Sequence, residues 1–138
     1  MKLFFKKYTE TSPLDKLCKQ IKELVKAGRL EEAEKIAAAA VISNPSEPQP
    51  HNLMGIILEH AGDHHQAMIH FRAAWSLDPT YVPARFNIRQ YGCYFCNHHI
   101  DAYTEQDCPC GDDIDFEDPL WTSYRKQGMG SIIRSALA

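Results

Sequence analysis

Residues 28–45 read GRLEEAEKIAAAAVISNP, and residues 62–79 read GDHHQAMIHFRAAWSLDP. Gly28, Ala33, Ala40 and Pro45 return as Gly62, Ala67, Ala74 and Pro79, each 34 residues further on. A fixed period of about 20–50 residues marks a repeat architecture, in which one helix pair buries its apolar face only by stacking on a neighbour. The period predicts an all-α chain built from stacked helix-turn-helix units.

Outward from this echo, the helix boundaries follow from local chemistry. Ser12-Pro13 reads as a helix start, with Ser12 as N-cap and Pro13 in the first helical position. Leu14, Leu17, Cys18, Ile21, Leu24 and Val25 then recur at three and four, the stripe of an amphipathic helix. Gly28 falls where a helix C-terminus needs a left-handed residue. Leu30 to Ile42 forms the partner, with Ala33, Ile36, Ala37, Ala40 and Val41 inward, and Asn44-Pro45 ends it. The cycle repeats from Pro48 to His60, is broken by Gly62, and continues from His64 to Leu77 with Ala67, Phe71, Ala74 and Trp75 inward. Asp78-Pro79 stops that helix. A fifth helix is expected from Val82 to about Tyr94.

These residues resemble the tetratricopeptide repeat, whose pattern is roughly W-x2-L-G-x2-Y, then A-x3-F, then P. Met54, Gly55, Leu58, Gly62, Ala67, Phe71 and Pro79 carry the second unit. His51 takes its aromatic slot. In the first unit Ile21 replaces the small residue at the helix crossing and Ala37 replaces the aromatic. The organisation is therefore an N-terminal segment 1–13, a first repeat 14–47, a second repeat 48–81 and a capping helix 82–95. A zinc knuckle over 93–111 and an acidic loop with a C-terminal tail over 112–138 complete it. In such a stack the first helix of each pair lines the concave face. The resemblance therefore implies a peptide-binding groove lined by Lys19, Lys22, Lys26, Asn52 and Asn87. The lysines form a basic stripe, and a primary amide can pair with both the donor and the acceptor of an extended backbone. Such a groove suits an acidic or carboxylate-ended segment. The carboxylate clamp that grips chaperone C-termini is incomplete here, because the third unit adds no matching basic residues.

After Tyr91 the repeat gives way to Cys93, Cys96, Cys108 and Cys110. Two close pairs of thiolates satisfy tetrahedral Zn²⁺, with Zn–S distances of about 2.3 Å. Gly111 frees the backbone for a tight knuckle. The run Cys108-Pro-Cys110-Gly111 resembles a zinc-ribbon knuckle with one residue deleted, and also the opening of the SEC-C motif. Residues 97–118 hold few apolar side chains, and a structural Zn²⁺ supplies folding energy to such a segment. The knuckle is expected to cap the open end of the stack. An iron–sulfur cluster, a thiol–disulfide switch and unliganded thiols remain open, as does His98 or His99 in place of one cysteine. A second metal site at His60 and His64 is a weaker alternative.

The bulk numbers exclude several classes. With 138 residues there is room for one domain and a small appendix. A net charge of −3 implies no global attraction to nucleic acid or anionic membrane. The charge is nonetheless split. Residues 1–30 carry eight basic side chains against three acids, and residues 101–118 carry eight acids with no Lys or Arg. This polarity fits self-docking, a homo-oligomer contact, charged partners or two solvated faces. The apolar run Leu3-Phe4-Phe5 is too short for a signal peptide, and no stretch approaches a membrane span of about 20 residues. A cytoplasmic location is expected, where cysteines favour metal or chemistry over disulfides. No phosphate loop, nucleophile elbow or acid–base pair points to an enzyme. The expectation is a protein-interaction adaptor with structural zinc and a protein, acidic-peptide or self partner. The alternative is a metal- or redox-responsive regulator.

Overall fold

In the computed structural model of the chain, residues 12–93 and 100–108 are described. The chain divides into two compact units, Met1–Cys108 and Pro109–Ala138, and every described residue lies in the first. The expectations for 1–11, 94–99 and 109–138, including Cys96, Cys110, His98, His99, the acidic loop and the tail, lie outside the described residues.

The described residues form five α-helices and no strand: α1 (Pro13–Lys26), α2 (Leu30–Ser43), α3 (Pro48–His60), α4 (His64–Leu77) and α5 (Val82–Gly92). A single 3-10 turn follows at Glu105–Asp107. Among the described residues no helix is long and apolar enough to cross a membrane. At the start of α1, the Asp15 amide donates to Ser12 Oγ and the Ser12 amide to Asp15 Oδ2, both at 3.1 Å, a capping box.

The 34-residue echo is written into the turns. Gly28 and Gly62 adopt φ of +75° and +88°, the left-handed conformation that glycine enters without steric cost. At each site two bonds close the helix end. Gly28 N–H meets Val25 O at 3.0 Å and Arg29 N–H meets Leu24 O at 2.9 Å. Gly62 N–H meets Glu59 O at 3.0 Å and Asp63 N–H meets Leu58 O at 2.9 Å. This is the double closure of a glycine-terminated helix. Asn44 N–H to Ala40 O and Asp78 N–H to Ala74 O repeat the pattern at the ends of α2 and α4.

Packing gives a two-layer, helical-repeat-like architecture. Helix α3 is central and touches α1, α2, α4 and α5. Helices α1, α3 and α5 lie side by side in one layer, and α2 and α4 each bridge two of them from the other. Ile21, Ala33, Ala37, Leu53, Ile56, Ile57, Ala67 and Phe71 are wholly buried in one core. The two pairs solve the same crossing with volume on opposite sides. In the first pair the bulk is Ile21 and the partner is Ala37; in the second the bulk is Phe71 and the partner is Gly55. A Cβ on Gly55 would lie 2.5 Å from the Phe71 ring. Beyond it, Tyr91 stacks on Phe71 at 5.8 Å between centroids and 11° between planes, tying α5 to α4. Trp75 departs from expectation: it is 45% exposed, because Ala74, one residue earlier on α4, takes the inward slot.

His51 and His70 join α3 to α4, with Nδ1 atoms 3.1 Å apart and ring centroids 5.3 Å apart. One ring donates and the other accepts, so the pair requires at least one neutral imidazole. Burial holds both below the usual histidine range, and His51 adds to the effect on His70.

Two predictions follow from this packing. Gly55→Ala should destabilise the fold by about 1–3 kcal/mol through overpacking against Phe71, read as a lower denaturation midpoint. A midpoint equal to wild type would show that the ring yields freely. The histidine pair titrates more readily in the unfolded chain. Its contribution is therefore complete above the unfolded value of about 6.5 and is lost as pH falls through the lower folded values. Wild type should lose stability between pH 7 and 5 more steeply than His51→Gln/His70→Gln; parallel profiles would reject this.

Candidate functional site

The residues singled out as a groove lie on the layer formed by α1, α3 and α5, and the chain's own residues 100–108 cross it. At the centre is one peptide unit, that of Ala102. Its N–H donates to Asn87 Oδ1 at 3.0 Å. Its carbonyl accepts from Asn87 Nδ2 at 2.9 Å and from Asn52 Nδ2 at 2.8 Å. Asn87 Nδ2 also donates to Asn52 Oδ1 at 2.8 Å, which links the two amides. Both asparagines and Ala102 are 0% exposed. A buried amide without a partner costs about 1–3 kcal/mol, so this cluster is stable only with a peptide group in place or water let in.

Charged and aromatic contacts flank the centre. Asp101 accepts from the Tyr91 hydroxyl and sits 2.7 Å from His60 Nε2. Burial and then the Asp101 bond push the Tyr91 phenol far above its ordinary range, so it stays a donor. Tyr103 is 4% exposed and belongs to the main core. Its carbonyl lies 3.5 Å from the Tyr81 hydroxyl, and Lys22 Nζ stands 5.5 Å from its ring centroid. Lys22 also reaches Asp107 Oδ1 at 2.5 Å. Asp107 Oδ2 accepts from the amides of Tyr103 and Thr104 at 3.1 and 3.0 Å, which shapes the 3-10 turn. Burial raises the Asp107 pKa, but the Lys22 bond and the Thr104 amide outweigh it and hold the carboxyl below its ordinary value.

The strap formed by 100–108 leaves part of the groove empty. A cavity of about 330 Å³ opens beside Tyr103–Gln106, walled by Asp15, Cys18, Lys19 and Gln49. Gln49 Oε1 is buried there with no hydrogen-bond partner among the described residues. Burial and nearby Asp15 push the Cys18 thiol up to about 12, so it is inert.

The sequence-picked residues thus separate. Lys22, Asn52 and Asn87 converge on the strap; Lys19 faces the cavity; Lys26 is exposed in the last turn of α1. Lys22 of the basic start pairs with Asp107 of the acidic later segment. His60 and His64 do not converge: His60 turns to Asp101 and His64 Nδ1 to Glu59 at 2.5 Å. Sequence reasoning missed Asp101, Ala102 and Tyr103 as occupants. The only signal was two apolar residues, Ala102 and Tyr103, inside an acidic run.

Of the four expected zinc ligands, two are described. Cys93 is disulfide-bonded, and neither Cys18 nor Cys108 is its partner. The Cys108 thiol lies 3.9 Å from Thr104 O, and burial with Asp107 and Glu105 pushes it up to about 11. No group of three or more metal-ligating side chains converges among the described residues. Over 100–108, the segment expected to need metal makes side-chain contacts with α1, α3 and α5.

No family model, no curated protein and no solved structure matches the chain.

The strap's hold can be measured directly. Asn87→Ala removes the acceptor for the Ala102 amide and one of two donors to its carbonyl. It should cost about 1–3 kcal/mol and speed amide exchange over 100–108 while α3 stays protected. Unchanged exchange at Ala102 would mean that the asparagines do not hold the strap.

Proposed function

We propose that this chain is a protein-interaction adaptor of the tetratricopeptide type, whose groove on α1, α3 and α5 binds extended peptide segments. The observation that carries the reading is the Ala102 peptide unit, gripped on both its N–H and its C=O by Asn87 and Asn52. Backbone recognition of this kind gives affinity that is independent of the bound side chain, as strand addition does at a sheet edge, and the side-chain contacts around it set register. Lys22 and Lys19 supply charge for an acidic ligand, which supports an acidic-peptide partner. The test is selection of displayed random peptides on the full chain carrying Ala102→Arg, a large side chain at a fully buried strap position. Enriched peptides that lose binding when Asn52→Ala and Asn87→Ala are added support the reading. Peptides indifferent to both asparagines would sink it.

The cysteines carry a second reading, favoured by the bonded state of Cys93. Structural Zn²⁺ on Cys93, Cys96, Cys108 and Cys110 requires Cys93 as a thiolate, which the disulfide withholds until reduction. Zn²⁺ bound there would also reverse the anionic surroundings that keep the Cys108 thiol protonated. A redox-responsive protein uses the same bond as its switch. Elemental analysis with a thiol count, on reduced and on oxidised protein, separates the two. The zinc reading expects about one zinc per chain in the reduced sample, with four of the five cysteines shielded until denaturation. The redox reading expects no metal and two further reactive thiols per chain after reduction.

A further inference from the structure

We infer that residues 101–107 are an internal stand-in for the ligand, and that the groove's partner is an extended acidic peptide. That peptide carries an acid–small–aromatic tripeptide and displaces this segment. The inference rests on the peptide-groove reading above and specifies its ligand.

The strap is held as a bound peptide is held. The side chains that grip it come from helices whose backbones are satisfied internally, Lys22 on α1, Asn52 and His60 on α3, Asn87 and Tyr91 on α5, and from Tyr81 just before α5. The helices that carry the grip have a core of their own. The wholly buried residues Ile21, Leu53, Ile56, Ile57 and Phe71 all belong to the helices. The strap contributes only Tyr103 to that core. Releasing it exchanges polar bonds for water and one aromatic side chain for solvent.

Each docked position has a chemical requirement. Asp101 places a carboxylate between the Tyr91 hydroxyl and His60. Ala102 is 0% exposed, so a larger side chain has no room. Tyr103 lies beneath the Lys22 ammonium, which attracts an aromatic face. The pattern read from this order is acid, small, aromatic.

The stand-in is also incomplete. After Thr104, which is extended, the strap turns at Glu105–Asp107 and leaves the cavity beside it open. Gln49 Oε1, buried in that wall, has no donor among the described residues. A partner that stays extended beyond its aromatic residue runs into this space and offers a backbone N–H to Gln49. It also brings further side chains within reach of Lys19. The tether gives the strap an effective concentration of the order of millimolar. A trans ligand must therefore bind better than the stand-in, and the unfilled cavity supplies that margin.

The probe is a labelled synthetic peptide of residues 100–107, Ile-Asp-Ala-Tyr-Thr-Glu-Gln-Asp, titrated onto the full chain by fluorescence anisotropy. Ala102→Arg in the protein should bind it at least about tenfold more tightly than wild type, since the competitor in cis is removed. Adding Asn87→Ala should abolish binding, and a peptide with arginine in place of its alanine should not bind. If Ala102→Arg does not fold, hydrogen exchange of wild type at excess peptide takes its place, and 100–108 should deprotect as the peptide binds. Folded Ala102→Arg that ignores the peptide, or wild type whose strap stays protected at excess peptide, overturns the inference. Peptide-sensitive dimers of wild type would also overturn it, by assigning the groove to the strap of a second copy. Selected peptides that need Asn52 and Asn87 but lack the acid–small–aromatic order would reject this inference alone. Absence of any asparagine-dependent peptide would reject the groove itself.

Discussion

A peptide group removed from water must find a donor and an acceptor, and at Ala102 both come from side chains. Most buried backbone in a helical protein is satisfied inside its own helix. The strap has no helix or sheet to satisfy it, so Asn87 and Asn52 perform that role from α5 and α3. The arrangement works only because α3 and α5 are neighbours in one layer. That in turn depends on α4 packing against both, through Gly55, Phe71 and Tyr91. The close crossing and the polar grip are thus one construction: the first fixes the spacing that the second requires.

Because two helices share the work, the grip is directional. Asn87 spans both groups of a single residue, while Asn52 strengthens the carbonyl side and is itself oriented by Asn87. Such linked amides polarise one another and lock each other's rotamers. A one-residue slip would remove Ala102 from its closed site and bring Tyr103 or Asp101 there instead. Lys22, reaching both the Tyr103 ring and Asp107, fixes the same register from α1. Surface ion pairs alone contribute little. This one matters because its ammonium is positioned over an aromatic ring and against a carboxylate already ordered by two backbone amides.

The helical framework was legible from local signals. Gly28 and Gly62 are left-handed because helix ends of this type need it, and Ser12-Pro13 starts α1 by capping chemistry that any sequence window contains. Phe71 against Gly55, and Ile21 against Ala37, are read from a period. Asn52 and Asn87 stand out in the sequence as amides on one face of the stack, so the two side chains that hold Ala102 were also legible. The occupant was not. Ala102 meets Asn52 across 50 positions, and nothing within 101–107 has a helical or strand period. An acidic stretch with two apolar residues reads as a solvated loop until the surface that accepts it is known. Judged by its own apolar content the segment needs an external hold, and over 100–108 the helices supply one by burying Tyr103.

The cysteines stand at the two ends of this construction and outside its grip. Cys93 follows α5 directly and Cys108 ends the strap, so the docked residues 101–107 lie between them. No cysteine contacts Asn52 or Asn87 among the described hydrogen bonds. The hold on the Ala102 peptide unit is therefore made by the two amides without a thiol, and it depends on the helix crossing that spaces them.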